Sequence, residues 1–388
     1  MNHAAVINAQ AAAAFAAVPA SRTPRVLVGF DGFIDHIIDV VAKRASPSEY
    51  TTLATISDFG SRISAAAGKS ANLELVVTTS KIGGNGPIMA NALAAYGCTV
   101  QVIGLLGEGA IDPVFAPLAE RAETLISLGG PGVTDALEFS DGKLMLGKLT
   151  PLERVTWTNL VAVVGMEKLK HLLRQADAVA TVNWTMLLGL TEIWETLATE
   201  VLPGLRRDRP LWFVDLADPA KRTLADQQRG FRALTALQRH VDVVLGMNES
   251  ELGQVLTALG QVMPSASSEY EQARLGCEVV RDTLGLGFAM CHLVKSSACA
   301  WSAGAARHAG HDGKPGSAGA AGFFEPKPLI TTGAGDHFNA GFVTALLSGL
   351  HPLQAIQVGG ATSGHYVRTA ASPSRSDATT FLQRNAHA

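Results

Sequence analysis

From about Arg25 almost to its end, the chain alternates short apolar runs with longer stretches whose apolar positions recur at helical spacing. The apolar runs predict strands over Arg25–Phe30, Leu73–Thr79, Val100–Leu105, Ala178–Asn183, Leu211–Asp215, Val241–Gly246 and Met290–Lys295. Between and after them the helical spacing predicts helices over Pro87–Tyr96, Asp112–Arg121, Met166–Ala176, Glu192–Val201, Phe231–His240, Ser250–Leu259, Glu269–Leu284 and Asp336–Ser348. Several strands are apolar at every position instead of alternating, as parallel strands are when helices cover both faces. Strand–helix–strand repetition of this kind predicts a doubly wound α/β fold with a mostly parallel central sheet.

Two regions break the rhythm. Ala136–Phe139 and Leu144–Leu149, joined by Ser140-Asp141-Gly142-Lys143, read as a β-hairpin, and a hairpin inside an α/β chain is a candidate lid. Residues 304–322, rich in Gly, Ala and Ser, read as a mobile surface insertion without chemistry. The Ala-rich N-terminus, Ala4–Ala20, lacks a basic leader and is interrupted by Asn8 and Gln10. It predicts a helical extension over residues 1–24, ahead of the first strand.

Composition narrows the partners. At 388 residues and 47% apolar content the chain can bury a full core, and 17% charged residues argue against disorder. A net charge of -3 without a basic stripe argues against nucleic acid, and no apolar stretch is long enough to span a membrane. Four cysteines without a CxxC pair read as buried small side chains in a reduced, cytoplasmic protein.

Three segments offer chemistry. Thr331-Thr332-Gly333-Ala334-Gly335-Asp336 opens a helix, where unobstructed amides and the helix dipole favour an anion such as phosphate. Asp336 in the first turn is placed to take a proton from a hydroxyl lying between carboxylate and phosphate. Alone, the segment fits a Gly-rich turn with an Asp cap equally well. Gly83-Gly84-Asn85-Gly86 precedes the helix beginning at Pro87, and Asn85 offers a donor and an acceptor to sugar hydroxyls. An ordinary tight turn explains it as well. Asp31 and Asp35 follow the first strand, at the carboxyl edge where such sheets bind ligands. One division of labour gives Asp31 to the turn and only Asp35 to the cleft.

In this order, the segments resemble the ribokinase-like (PfkB) carbohydrate kinase family. Asp35-His36-Ile37 matches its N-terminal Asp, GGNGPIMANALAAYG at Gly83–Gly97 its first signature, and TTGAGDHFNAGF at Thr331–Phe342 its second. Asn248-Glu249-Ser250-Glu251 matches the family's Asn-x-x-Glu, and Asp218-Pro219-Ala220-Lys221-Arg222 its Asp-Pro-x-x-Arg. The likeness runs from about Arg25 to about Pro373.

The resemblance implies a single ribokinase-like α/β domain over residues 1–388, with a small β-lid from about 36–80 and 134–150. It implies ATP and Mg2+, with transfer of the γ-phosphate to a hydroxyl of a sugar or sugar-like alcohol. Asp336 would be the base, and the Gly333, Ala334 and Gly335 amides the anion hole. Asn248 and Glu251 would hold magnesium. Asp35, Asp31, Gly84, Asn85 and Asn183 would face the sugar, and Thr332, Lys295, Ser297 and Ser363 the nucleotide. Dimers joined through the lid are common in the family, which brings a homodimer into view.

Departures qualify this. Asn85 and Ile88 stand where ribokinases carry sugar-binding Lys and Asn, which argues against ribose itself. Ile330 stands where many members have an Asp near a monovalent-cation site, leaving potassium activation open. Lys295–Ala300 lacks the glycines that usually border the nucleotide, and the long Asp35–Gly83 segment includes a helix around Ile56–Ala67. The competing readings are a nucleoside kinase, an ADP-dependent sugar kinase, and a family member that has lost catalysis and serves as a binding subunit. A Walker-type NTPase and a dinucleotide enzyme lack their motifs. Single motifs leave the acceptor unnamed.

Overall fold

The structure, a computed structural model, describes residues 3–206, 208–308 and 313–386. Its strands are β1 (Arg25–Gly29), β2 (Phe33–Arg44), β3 (Tyr50–Thr52), β4 (Leu75–Gly83), β5 (Thr99–Gly104), β6 (Thr124–Ser127), β7 (Gly132–Phe139), β8 (Gly142–Lys148), β9 (Ala178–Thr181), β10 (Leu211–Asp215), β11 (Asp242–Asn248), β12 (Phe288–His292), β13 (Ser296–Trp301) and β14 (Gly316–Ala321). Nine of them form the central sheet in the order β14-β13-β12-β11-β10-β9-β1-β5-β6. It is parallel from β6 to β12, and β13 and β14 complete it antiparallel.

Side chains from these strands feed two cores. Leu27, Val179, Trp212, Val214, Val243 and Leu245 point into one. It is closed by helices α5 (Trp157–Val164), α6 (Met166–Gln175), α7 (Leu190–Thr196), α8 (Leu224–Leu237), α9 (Glu249–Ala258) and α10 (Glu269–Leu284). Val26, Val28, Ala180, Phe213 and Val244 point into the other. That face is covered by α1 (His3–Ala16), α3 (Asn85–Ala95), α4 (Ala116–Ala119), α11 (Ala334–Leu347), α12 (Pro352–Thr369) and α13 (Arg375–Asn385). Burial on both faces is why β10, Leu-Trp-Phe-Val-Asp, reads as a continuous apolar run.

The remaining strands form a separate sheet, β3-β2-β7-β8 with β4 also on β2, above the carboxyl ends of β1 and β5. Helix α2 (Ile56–Ser64) backs it, and Ile38, Val40, Phe59 and Leu137 form its own small core. The alternation along β2 is broken by a register shift between Ile37 and Ile38, which hides this 12-residue strand from a period-2 reading.

One expectation changes. Within 304–322, Gly316–Ala321 is the edge strand β14, paired along its length with β13, rather than a loose insertion. Its small residues suit a close approach: a Cβ on Gly319 would lie 2.9 Å from Tyr270 of α10. Residues 309–312 of that expected insertion lie outside the described residues. Among the described residues no helix is long and apolar enough to cross a membrane.

Candidate active site

Thr331–Ala334 forms a tight turn in which the Ala334 amide donates to Thr331 O at 3.1 Å. Gly333 sits at φ 87°, ψ 0°, the third-position geometry of a type II turn, which a side chain would strain. The turn delivers the chain into α11 with Asp336 in the first helical turn, buried. Closing the turn occupies the Ala334 amide, which was expected to face phosphate. The Gly335 and Asp336 amides have no acceptor among the described residues.

Across the cleft, α3 begins at Asn85, whose side-chain amide donates to Asp336 Oδ1 at 3.0 Å. Gly84, at φ 87°, caps this helix through its backbone. Asp31 lies beneath it: Oδ2 accepts from the Asn85 amide at 2.9 Å and Oδ1 from the Gly86 amide at 2.8 Å. Asn183, in the left-handed conformation after β9, donates to the same Oδ2 at 2.9 Å. Burial pushes the Asp31 carboxyl up to about 6 even against these hydrogen bonds. With both oxygens engaged, Asp31 anchors the helix start and the Asn183 loop. Asp35, by contrast, lies on the β2 lid strand. It pairs in register with Thr134 of β7 and Lys81 of β4, and burial raises its pKa while Lys81 pulls it down.

Asn248 and Glu251 form a capping box at the start of α9. The Glu251 amide donates to Asn248 Oδ1 at 2.9 Å, and the Asn248 amide to Glu251 Oε2 at 2.8 Å. Glu251 Oε1 also accepts the Asp218 amide at 2.9 Å. Arg222 donates to the carbonyls of Trp184, Thr185 and Leu187, and Lys221 pairs with Asp218 at 3.2 Å. Arg222 therefore braces the loop after β9 through its carbonyls.

Three residues of this region escaped the sequence reading. Asp215 ends β10 buried, with Oδ2 accepting from Asn339 of α11 at 3.0 Å. Burial and the neighbouring Glu251 carboxylate raise its pKa. Asp336 is raised well above the usual range, first by burial and then by Asp215. His292, at the end of β12, stands beside Gly335 and against the Phe338 ring. Asp215 and His292 both end parallel strands, a position that could have signalled them, and Asn339 lies within the second signature.

A cleft of about 500 Å³ opens from Asn248, Ser250 and His292 past Ala334 and Gly335 to Phe323 and Val367. Ser297 and Ser363 line it, whereas Thr332 and Lys295 do not. The Thr332 carbonyl accepts the Tyr366 hydroxyl, and the Lys295 ammonium sits over the Phe324 ring at 5.0 Å. His337, one residue past Asp336, faces away from the cleft: its ring stacks on Tyr366 at 3.6 Å.

The nine-stranded sheet, the strand lid and the paired helix starts at Asn85 and Asp336 define a carbohydrate kinase with the ribokinase-like fold. More particularly, the chain belongs to the prokaryotic ketohexokinase family, whose family model matches residues 5–385. A ketohexokinase of Haloferax volcanii is 31% identical over 361 residues, 92% of this chain and 90% of the relative. Among solved structures, Arabidopsis thaliana ribokinase superposes with a TM-score of 0.61 at 17% identity, covering 93% of this chain and 99% of that one. A variant of Escherichia coli phosphofructokinase-2 superposes at 0.60 and 11% identity, covering 94% and 99%. These two likenesses concern the fold.

Proposed function

We propose that this protein transfers the γ-phosphoryl group of ATP to a hydroxyl of a ketohexose, with Asp336 as the base. One observation carries the reading: Asp336 directly follows Gly335, which lines the cleft together with Asn248, and its carboxylate accepts from Asn85 at the start of α3. Asn85 occupies Oδ1, which leaves Oδ2 to take the proton of the attacking hydroxyl. That oxygen attacks phosphorus in line, the bond to the β–γ bridging oxygen breaks, and ADP leaves with its electron pair. The Gly335 and Asp336 amides, at the positive end of α11, stabilise charge on the phosphoryl oxygens. Asp35 and Lys81 face the sugar.

Among the described residues no three His, Cys, Asp or Glu side chains converge as a metal cage. This suits magnesium, which keeps several waters and is held chiefly by phosphates. Asn248, Glu251 and Asp215 would hold such an ion through its waters, since the Glu251 and Asp215 oxygens already accept protein hydrogen bonds. Burial, with Glu251 beside Asp215, raises both carboxyls in a way that a cation would offset. When bound, the ion would neutralise charge on the β- and γ-phosphates.

The ketohexose assignment draws on the Haloferax volcanii relative and on Ile88, which packs against Gly333 in place of a polar sugar contact. A nucleoside acceptor finds little support. Phe30, Phe33 and Trp184, three of the aromatics that could form a base pocket, are buried in the core. Phe139, the fourth, packs 5.5 Å from Phe59 in the lid.

A coupled assay against ketoses, aldoses, polyols, sugar acids and nucleosides, with ATP or ADP as donor, tests this. The expected result is ATP-dependent phosphorylation of a ketohexose above all others, abolished in Asp336→Asn. Preference for a nucleoside or for ADP, or normal turnover in Asp336→Asn, overturns it.

A further inference from the structure

Three consecutive carbonyls of the turn before α11 each meet a fixed donor. Thr331 O takes the Ala334 amide at 3.1 Å and Thr332 O the Tyr366 hydroxyl at 3.0 Å. Gly333 O takes the His337 amide at 3.0 Å and His337 Nδ1–H at 2.7 Å. A trans peptide is planar, with its carbonyl and amide on opposite sides. Fixing each carbonyl from behind therefore fixes where the following amide points. The Thr332 and Gly333 carbonyls share their planes with the Gly333 and Ala334 amides, so the Gly333 amide, which has no acceptor among the described residues, is fixed directly. The pinned turn then leads into the Gly335 and Asp336 amides.

The two side chains form one unit. Their rings stack at 3.6 Å with an interplanar angle of 12°. His337 Nε2 meets Ser372 Oγ at 2.8 Å, and Asn91 of α3 donates to that same oxygen at 3.3 Å. Since Gly333 O can only accept, Nδ1 carries the imidazole proton and Nε2 accepts from Ser372. Burial holds the His337 pKa down at about 4 and pushes Tyr366 up to about 12, so both stay neutral between. Neither ring lines the cleft.

We propose that His337 and Tyr366 are positioning residues that hold the anion-hole turn in its phosphate-binding shape before nucleotide arrives. They act on the rate of transfer and leave ground-state binding alone. Donors already oriented toward the developing charge need no reorganisation in the transition state, which is where a preformed site gains over a flexible one. The proposal rests on Asp336 as base and the start of α11 as anion hole.

Two conservative variants isolate the effect. Tyr366→Phe keeps the ring stack and removes only the hydroxyl on Thr332 O. His337→Phe keeps the stack and removes the donor to Gly333 O. With ATP and a ketohexose, well below the Tm of each protein, each variant is expected to lose roughly ten- to a hundred-fold in kcat with KM for both substrates at wild-type values, while Tm falls modestly with the buried hydrogen bonds removed. Asp336→Asn is measured alongside. If it is inactive while both Phe variants turn over at the wild-type rate, the clamp is refuted and the base stands. If Asp336→Asn turns over normally, the underlying reading has failed first. A kcat loss that comes with a raised KM, or that vanishes once rates are corrected for the fraction folded, also overturns the proposal, because the residues then serve binding or stability.

Discussion

Asn85 and Asp336, 251 residues apart, are joined by a 3.0 Å hydrogen bond from the Asn85 side-chain amide to Asp336 Oδ1. The bond ties the first turn of α3 to the first turn of α11, the two helix starts that the proposed function assigns to sugar and phosphate. It also tunes the base. Burial and Asp215 raise the Asp336 pKa, and the Asn85 donor works against them by favouring the ionised form.

Asn85→Ala should therefore move the acid limb of the kcat/KM profile to higher pH. The sign follows from the mechanism: Asp336 works as a carboxylate, and losing a donor makes that form harder to reach. At a fixed pH on the limb the loss should be roughly ten-fold or more, the worth of a hydrogen bond to a charged group. A pH–rate series on both proteins measures it, and an unmoved limb would show that Asn85 does not tune the base.

Asp215→Asn should move the same limb the other way. Its carboxylate is the second cause of the raised Asp336 pKa, after burial. Replacing it with an isosteric amide removes the like charge and keeps a side chain that can still pair with Asn339. The position of the limb is the readout, independent of any fall in amplitude from weaker magnesium binding. A limb displaced toward higher pH would contradict the electrostatic account.

Asp31→Ala should unfold the site. It strips the acceptor from the Asn85 and Gly86 amides and from Asn183 Nδ2, all buried or partly buried. At about 1–3 kcal/mol for each donor left unpaired, the loss in unfolding free energy should reach about 3 kcal/mol, measurable in urea. The loss should depend on pH. The folded pKa, about 6, lies above the free value of 3.8, so Asp31's own contribution is full at low pH and fades as pH rises through 6. The variant should therefore fall further behind wild type at pH 5 than at pH 8. The reverse order would mean that the buried carboxylate is better stabilised than its surroundings imply.

How much of this could be read from sequence depended on how local the information was. The run Leu211–Asp215 and the helix Glu269–Leu284 match the structure residue for residue, because apolar burial on both faces and end caps are written into consecutive positions. The family signatures located Asp336, Asn85 and the Asn248/Glu251 pair for the same reason. Asp215 was hidden because its partner Asn339 is 124 residues away and its apolar strand gives no sign of a polar end contact. That Asp31 serves the turn was one reading the sequence offered, and the amides of α3 show how: both its oxygens accept from them. Strand β14 was lost because small residues chosen for close packing under α10 have the composition of a loop.

On the proposed function, Lys81 would extend the sugar site beyond the family motifs. It stands opposite Asp35 in the β2–β4 register, half-buried, and burial lowers its pKa while Asp35 holds it up. Cross-strand partners in register project from the same face of a sheet, so ammonium and carboxylate lie side by side on one face of the lid. A polyol satisfies both: one hydroxyl donates to the carboxylate, and a neighbouring hydroxyl or carbonyl oxygen accepts from the ammonium. Lys81→Met preserves the length of the side chain and removes its charge. KM for the ketohexose should rise roughly ten- to a hundred-fold, the range for a hydrogen bond to a charged donor, while KM for ATP stays in place. Lys81→Arg should recover part of the loss. A ketohexose KM that does not move, or an ATP KM that moves with it, would remove Lys81 from the sugar site.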